Sequence, residues 1–326
     1  MRILVSTRLP DPVIADMKKR FAKHDLIFDK AAGATEELLE TIDVMVSGGR
    51  TFPDEFYEHA KKLKLIQVPW IGTNNFEWEK LQKHGIKVAN SKWNTLLVAE
   101  FTLGLLMSGL KQITRADRVF RAGKWESRGY SSTLLSYSKV LLLGFGDIGT
   151  HFARLLQPFQ CEITAIKNNL DNMIDEQRKL VRRVIGWDEY EAYAKEADIV
   201  VVTLPLTEKT EGILSKERLF MIKKGAYLVN IGRGAVVNEQ GLYEAVKDHL
   251  AGAAIDVWYL YKRDEEEPFY PSKYPIHELE NVIMSPHRAS IVLDAPDRVL
   301  DDMEFNIRAL ENGIALKNVI DFKNRY

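Results

Sequence analysis

The segment 139–169 constrains the fold more strongly than any other part of the chain. A short apolar run, Val140–Leu143, leads directly into three glycines with the spacing G-x-G-x-x-G, at 144–149. A helix-like apolar stripe and a second apolar run, Ile163–Ile166, follow. In such a unit the glycines permit a tight turn and close approach to a pyrophosphate, and the helix N-terminus offers free N–H groups to phosphate. The order of these elements predicts a dinucleotide-binding unit, which three glycines alone would not.

The end of the second strand bears on which dinucleotide is bound. Folds of this kind that prefer NAD place Asp or Glu about 20 residues after the glycines, where it binds the ribose hydroxyls. Here Lys167, Asn168 and Asn169 occupy that place. An ammonium group and amides can bind a ribose 2′-phosphate, which a carboxylate would repel. We therefore favour NADP over NAD, while a solvated loop with a surface Lys, or a role for Asp171, stays open.

Composition limits the class of protein. The 326 residues are 46% hydrophobic and 28% charged, which is enough for about two ordinary domains with real cores. A net charge of -1 gives no electrostatic reason to expect nucleic acid or an anionic membrane as a partner. Cys161 is the single cysteine, so an intrachain disulfide is excluded. With no signal-peptide pattern and an apolar stretch, Leu96–Leu110, too short to span a bilayer, we expect a cytoplasmic protein.

Strand-like and helix-like segments alternate along the chain. This alternation predicts an α/β fold with two doubly wound parallel-sheet domains, one a Rossmann-type coenzyme domain and the other flavodoxin-like. The predicted domains comprise residues 1–94 with 291–326, and residues 95–290. A single long helix is expected from Thr95 to Arg121, and a final helix, Asp294–Asn312, is expected to return to the first domain.

Unusual residues follow five strands of the second domain. They are Gly144–Gly149, Pro205–Leu206–Thr207, Asn230–Gly234, Asp256 and Ser285–Pro286–His287. Each could be an ordinary loop feature. Because ligands of open parallel sheets bind at the carboxyl ends of the strands, the five together predict a site.

These same segments carry a resemblance to a known family. The motifs GFGDIG, TLPLTEKTEGIL, NIGRGAVVNE, AIDVW and SPHRAS occur in the order and spacing of the D-isomer-specific 2-hydroxyacid dehydrogenases, and the chain resembles that family over nearly its whole length. The resemblance implies reversible NAD(P)-dependent reduction of small 2-keto acids to D-2-hydroxy acids. It also implies two α/β domains with a cleft between them, a homodimer, and no metal site.

The resemblance assigns three catalytic residues. Arg233 in NIGRG would bind the substrate carboxylate, to which a planar fork of donors is suited. His287 in SPH would be the general acid/base, because an alkoxide formed near neutral pH needs a proton. Glu267, just before Pro268, would orient His287 and favour its charged form. The loop after Asp256 is several residues longer than the common pattern, so Glu265 and Glu266 remain alternatives.

Further contacts follow from the same motifs. The substrate domain would contribute Arg50, Trp70, Ile71 and Gly72 to substrate binding, and Trp70 replaces a small residue. Asp256 would hold the nicotinamide carboxamide. Alternatively, it has only a structural role as a cap at the end of its strand. The complete set of expected cofactor contacts is Ser91, Gly144, Gly146, Asp147, Ile148, Gly149, Lys167, Asn168, Leu204, Pro205, Thr210, Ile231, Gly232, Arg233, Asp256 and His287.

The resemblance leaves the substrate and one rival class open. Glyoxylate or hydroxypyruvate is the favoured substrate on family frequency, and a short-form phosphoglycerate dehydrogenase is an alternative. Related corepressors use the fold as a nucleotide sensor and keep similar residues. The absence of a basic tail favours an enzyme over such a sensor.

Overall fold

The structure is a computed structural model that describes residues 1–30, 34–73, 76–128, 131–168, 173–261, 268–291 and 296–323. The chain divides into two compact units, Met1–Asn94 with Val292–Tyr326, and Thr95–Ile291. The second unit therefore ends at Ile291, one residue later than the boundary expected from the sequence.

The first unit is built on a five-stranded sheet. Its strands are β1 (Arg2–Val5), β2 (Asp25–Phe28), β3 (Val44–Val46), β4 (Leu65–Gln67) and β5 (Lys87–Ala89), in the order β2-β1-β3-β4-β5. Every strand pair is parallel. The helices in this part are α1 (Asp11–Arg20), α2 (Glu36–Leu39), α3 (Asp54–His59) and α4 (Trp78–Lys83). This strand order is the flavodoxin-like one.

The second unit has a seven-stranded sheet, again with parallel pairs throughout. The strands are β6 (Lys139–Leu143), β7 (Glu162–Ile166), β8 (Arg183–Ile185), β9 (Ile199–Val202), β10 (Tyr227–Asn230), β11 (Gly252–Ile255) and β12 (Val282–Met284). The order β12-β11-β10-β9-β6-β7-β8 reverses direction between β6 and β9, which is the switch point where doubly wound sheets bind ligands. The two sheets confirm the predicted α/β fold class.

Helices cover both faces of this larger sheet. They are α5 (Thr95–Leu110), α6 (Ile113–Arg121), α7 (Asp147–Leu156), α8 (Asp175–Arg178), α9 (Tyr190–Ala194), α10 (Lys216–Met221) and α11 (Glu239–Asp248). One core lies between the sheet and α5 with α7, and another lies between the opposite face and α9 to α11. Helix α5 approaches the sheet so closely that a Cβ atom on Gly109 would lie 1.9 Å from the hydroxyl oxygen of Tyr227.

Two predicted helices are each divided in the structure. The helix expected over Thr95–Arg121 breaks into α5 and α6, which bend by 60°. Gln112 adopts left-handed backbone angles, φ 54°, at the break, and this conformation ends the first helix. The final helix is α12 (Pro296–Val299) followed by α13 (Asp301–Asn312), and residues 294–295 lie outside the described ranges. Met303 and Ile307 of α13 pack into the core of the first unit.

Across the described ranges, no single helix has the length and apolar character needed to cross a membrane. The bent pair formed by α5 and α6 meets the criteria of length and composition when the two are taken together.

Candidate active site

The glycine turn after β6 depends on close backbone packing. Gly144 has φ 101°, a conformation that side chains disfavour, and a Cβ atom there would lie 2.8 Å from Oγ1 of Thr203. A Cβ atom on Gly149 would lie 2.5 Å from the carbonyl oxygen of Gly144. The first glycine therefore lets the turn lie against Thr203, the residue that follows β9, and the third lets α7 approach the turn.

Gly146 serves a different purpose in the same turn. It is the N-cap residue of α7, it is exposed, and no atom lies within 4 Å of the position that a Cβ would take. Asp147 and Ile148 form the start of the helix, where backbone N–H groups point outward and the helix dipole favours an anion. The open space beside Gly146 and the exposed helix N-terminus fit the pyrophosphate of a dinucleotide.

Lys167 lies beside this turn at the end of β7. Its Nζ donates a hydrogen bond of 2.8 Å to the carbonyl oxygen of Phe145. Asn168 is exposed next to it, whereas Asn169 and Asp171 lie outside the described residues. A cationic side chain is thus held against the glycine turn on the side of the second strand.

The loop after β9 completes the switch point. Leu204 is buried, Pro205 is exposed, and Thr210 is buried with its hydroxyl donating to the carbonyl oxygen of Pro205 at 2.6 Å. The same hydroxyl accepts from the backbone N–H of Thr207 at 2.8 Å. Thr210 therefore closes the turn that presents Pro205, and a direct contact with the cofactor stays a prediction.

Arg233 lies in a backbone segment that packs closely against two neighbouring loops. A Cβ atom on Gly232 would lie 2.5 Å from the carbonyl oxygen of Leu204, and one on Gly234 would lie 2.2 Å from that of Trp258. Ile231 just before this segment is buried. The two glycines are therefore required by the loops on either side, which the sequence alone could not distinguish from an ordinary flexible turn.

The guanidinium of Arg233 is partly buried and donates to the carbonyl oxygen of Gly232 at 2.7 Å. Burial lowers its pKa from the ordinary value, and the nearby Tyr261 opposes this effect. Even with a lowered pKa an Arg side chain stays charged at neutral pH. A charge removed from water in this way is stabilised by an anionic ligand.

Asp256 fastens the loop that carries His287. One carboxylate oxygen accepts from the hydroxyl of Ser285 and from the backbone N–H of Arg288 at 2.9 Å, and the other accepts from the N–H of Ala289 at 3.1 Å. Asp256 itself is buried. This role as a support for the loop was not foreseen from the sequence, and the expected contact with a nicotinamide carboxamide stays a prediction.

His287 occupies a strained position in that loop. Its φ is 54°, and its backbone N–H donates to the carbonyl oxygen of Ser285 at 3.0 Å. Desolvation lowers the pKa of the imidazole below 6.5, the charge of Arg233 lowers it further, and the charge of Asp256 raises it. The loop of Arg233 follows β10 and the loop of His287 follows β12, so both residues lie at the carboxyl edge of the same parallel sheet.

Glu267, Glu266 and Glu265 lie outside the described residues. The described part of the same loop contains a residue that the sequence did not single out, Tyr261. Its ring lies 5.4 Å from the ring of His287, measured between centroids. A tyrosine in a loop of unusual length carries no spacing signal that would have identified it.

In the first unit, the loop after β4 is held by its carbonyl groups. The carbonyl oxygen of Ile71 accepts from Nδ2 of Asn90 at 2.8 Å, and that of Pro69 accepts from Nε1 of Trp93 at 3.0 Å. Within the described ranges, the backbone N–H groups of Ile71 and Gly72 donate to no other group. These two amides are therefore available to an acceptor.

The remaining expected residues of this unit are engaged in packing. A Cβ atom on Gly48 would lie 2.4 Å from the indole of Trp70, so that side chain rests on the backbone of a neighbouring loop. Arg50 donates to the carbonyl oxygen of Ser6 at 2.9 Å. Ser91 is fully buried, and its hydroxyl accepts from Nε2 of Gln67 at 3.2 Å. Contacts of these residues with substrate or cofactor stay predictions.

Comparison with known proteins identifies the family. Residues 103–289, more than half of the chain, match the model described as D-isomer specific 2-hydroxyacid dehydrogenase, NAD binding domain. The chain belongs to the D-isomer specific 2-hydroxyacid dehydrogenase family. It is thus an NAD(P)-dependent oxidoreductase that acts on 2-hydroxy acids.

Individual proteins are similar to this dehydrogenase over nearly its whole length. A glyoxylate reductase of Korarchaeum cryptofilum is 30% identical, over 98% of this chain and 96% of the relative. A D-3-phosphoglycerate dehydrogenase of Methanocaldococcus jannaschii is also 30% identical, but the match covers 60% of that longer protein and 98% of this chain. A crystal structure of a Pyrococcus horikoshii protein is 29% identical with a TM-score of 0.79, covering 98% of this chain and 95% of that one.

The geometry of the glycine turn predicts that two substitutions in the dehydrogenase have different consequences. Gly146→Ala places a methyl group in open space, so thermal stability should be unchanged while NAD(P)H affinity falls about tenfold, because the methyl occupies the phosphate position. Gly149→Ala forces α7 away from the turn and should reduce both stability and affinity. Thermal denaturation and fluorescence titration with NAD(P)H measure the two effects, and equal behaviour of the variants would contradict this account.

Proposed function

We propose that this enzyme reduces a small 2-keto acid, glyoxylate or hydroxypyruvate, to the corresponding D-2-hydroxy acid. The observation that carries the proposal is that Trp258 links the loops of Arg233 and His287: its backbone packs against Gly234, and its Nε1 donates to the carbonyl oxygen of Ser285 at 2.8 Å. A cationic donor beside a proton donor suits a substrate with a carboxylate next to a carbonyl. The similarity to a glyoxylate reductase over nearly the whole length of both chains supports the choice of substrate.

The proposed division of labour follows from the chemistry of each group. Arg233 binds the substrate carboxylate and polarises the adjacent carbonyl. A nicotinamide cofactor, held by the glycine turn of Gly144, Gly146 and Gly149, would supply the hydride that reduces the carbonyl carbon. The imidazolium of His287 donates its proton to the carbonyl oxygen, so that a keto acid, a hydride and a proton give the hydroxy acid. The amides of Ile71 and Gly72, with Arg50 and Trp70, are proposed to contact the substrate, and Glu267 is proposed to orient His287.

The proposed cofactor is NADP, with NAD as the alternative. The support is the position of Lys167, whose ammonium group lies against the glycine turn, together with an amide instead of a carboxylate at Asn168. A 2′-phosphate placed beside the end of β7 would gain a charge-assisted hydrogen bond from Lys167. A ribose hydroxyl would gain a weaker one.

Removal of this charge tests the cofactor preference. Lys167→Ala should lower kcat/KM for NADPH about tenfold and leave the value for NADH nearly unchanged, because a single charge-assisted hydrogen bond is lost. Lys195→Ala, which removes an exposed Lys that pairs with Glu191 on α9, is the matched control. Equal losses with the two cofactors, or a wild-type preference for NADH, would remove the role given to Lys167.

The direction of the shift at His287 predicts how the rate depends on pH. Its pKa lies below 6.5, so at neutral pH most of the imidazole is neutral and cannot donate a proton. The kcat/KM for keto acid reduction should therefore rise as pH falls from about 8 to about 5, with a midpoint below the ordinary value. His287→Asn should reduce turnover by roughly 10²–10⁴-fold while sparing NAD(P)H binding. A flat profile, or wild-type turnover in the variant, would exclude His287 as the proton donor.

The same profile separates the three candidate glutamates. A carboxylate beside His287 favours the charged imidazole, so Glu267→Gln should move the midpoint to lower pH. Glu265→Gln and Glu266→Gln are the controls and should leave the midpoint unchanged. A shift caused by either control in place of Glu267 would reassign the partner of His287.

A D-3-phosphoglycerate dehydrogenase is the second candidate, because one such relative is as similar to this chain as the glyoxylate reductase. The two candidates differ in substrate charge. Comparison of kcat/KM for glyoxylate and for the phosphorylated three-carbon keto acid distinguishes them, and a large preference for the phosphorylated substrate would replace our proposal.

We further propose that the enzyme is a homodimer. A second copy would cover the exposed surface of α6 and of residues 122–128 and 131–138, which follow it. No residue of α6 is buried. The exposed large apolar side chains in this region are Ile113, Phe120, Trp125, Leu134 and Tyr137, and Trp125 is 81% exposed. The rings of Phe120 and Trp125 lie 5.6 Å apart, and exposed apolar side chains grouped in this way are typical of an interface.

Analytical ultracentrifugation tests this arrangement. The wild-type enzyme should sediment with twice the mass of one chain, and Phe120→Glu combined with Trp125→Glu should give single chains, because charges are disfavoured in the core of an interface. Ile314→Glu, at an exposed apolar residue of the first unit, is the control. A monomeric wild-type enzyme would contradict the proposal.

A further inference from the structure

The described start of the loop after β11 is rich in aromatic residues and is attached to three other segments. Nε1 of the buried Trp258 donates to the carbonyl oxygen of Ser285 at 2.8 Å, and the hydroxyl of Tyr259 donates to the carbonyl oxygen of Val237 at 3.0 Å. The backbone N–H of Leu260 donates to the carbonyl oxygen of Pro271 at 3.1 Å. These anchors hold the backbone that presents the next residue, Tyr261.

The side chain of Tyr261 turns back towards the site. Its ring lies 5.4 Å from the ring of His287 at an interplanar angle of 51°, and its hydroxyl oxygen accepts from the backbone N–H of Trp258 at 3.0 Å. The backbone of Trp258 in turn lies against Gly234, the neighbour of Arg233. The hydroxyl is thus bonded to the segment that packs beside Arg233, while the ring lies next to His287.

The hydrogen atom of this hydroxyl is available. A phenol oxygen that accepts one hydrogen bond can still donate another. Within the described ranges, the Tyr261 hydroxyl donates to no acceptor, and 56% of the residue is exposed. The O–H group of Tyr261 is therefore available to donate a hydrogen bond to a ligand bound beside it.

The charge of Arg233 indicates which kind of ligand could bind beside Tyr261. The phenol and the guanidinium of Arg233 affect each other's pKa: desolvation raises that of Tyr261, and Arg233 lowers it. Arg233 has donors and no acceptor. A ligand that contacts both side chains must therefore offer acceptor atoms, as a carboxylate does.

We propose that Tyr261 is a further substrate-binding residue, which donates a hydrogen bond from its hydroxyl to the carboxylate held by Arg233. This inference rests on the proposed reduction of 2-keto acids and deepens it. The carboxylate gains a neutral donor beside the cationic fork, and the ring of Tyr261 forms a wall next to His287. Substrate affinity then depends on a loop whose length differs from the usual family pattern.

Removal of the hydroxyl alone tests the proposal. In the full-length enzyme with saturating NAD(P)H, Tyr261→Phe keeps the ring beside His287 and should raise KM for glyoxylate about tenfold, with kcat changed by less than about twofold. The pH midpoint of kcat/KM should not move, because the hydroxyl does not act through His287.

Tyr190→Phe, on α9 and outside this loop, is the control. It removes the hydrogen bond of 3.0 Å from the Tyr190 hydroxyl to the carbonyl oxygen of Arg218 and should lower the melting temperature, but KM should stay at the wild-type value. An unchanged KM in Tyr261→Phe would overturn the proposal. A loss confined to kcat, with a shifted pH midpoint, would also overturn it and make Tyr261 a positioning residue for His287.

A binding measurement separates this proposal from the proposed function. Oxalate, a planar dicarboxylate, is titrated calorimetrically into the complex of enzyme and NAD(P)H. Weaker binding to Tyr261→Phe than to wild type, by about tenfold, supports the role of Tyr261 even if no keto acid is turned over. Equal affinities contradict it even if glyoxylate is a good substrate.

Discussion

The proposed chemistry depends on the hydrogen bonds that the carboxylate of Asp256 accepts. This carboxylate accepts hydrogen bonds from a side chain and two backbone N–H groups of the loop around His287. A buried carboxylate is costly unless such donors surround it, so each bond stabilises both the charge and the loop. His287 adopts a left-handed backbone conformation in that loop, and non-glycine residues keep such a conformation only when their surroundings enforce it. The strand end, the loop and the histidine therefore form one unit.

Close contact between neighbouring loops is the second constraint. Gly144 lies against Thr203, Gly232 against Leu204, and Gly234 against Trp258. At each of these contacts a Cβ atom would overlap with the neighbouring segment. The loops that carry the proposed cofactor and substrate contacts are thus packed on one another, which holds Arg233 and Asp256 in place without regular secondary structure. A substitution at one of these glycines should therefore displace more than one functional residue.

Sequence reasoning was most successful where the signal is local. The spacing of Gly144, Gly146 and Gly149 lies within one turn, and the alternation of apolar runs identified both parallel sheets. The break at Gln112 was missed because Lys and Gln are good helix formers, and tertiary packing decides where α5 ends. The support that Asp256 gives to residues about 30 positions later, and the approach of Tyr261 to His287, depend on loop paths that have no period. These features appear only when the chain is folded.

The stereochemistry of the product tests the central claim most directly. Hydroxypyruvate is incubated with NADPH or NADH, and the glycerate that forms is separated by chiral chromatography and compared with the amount of cofactor oxidised. A reductase in which Arg233 and His287 hold the keto acid in one orientation should yield the D isomer alone, with one molecule of cofactor consumed per molecule of product. Formation of the L isomer or of a racemic mixture, or oxidation of the cofactor without glycerate, would contradict the account.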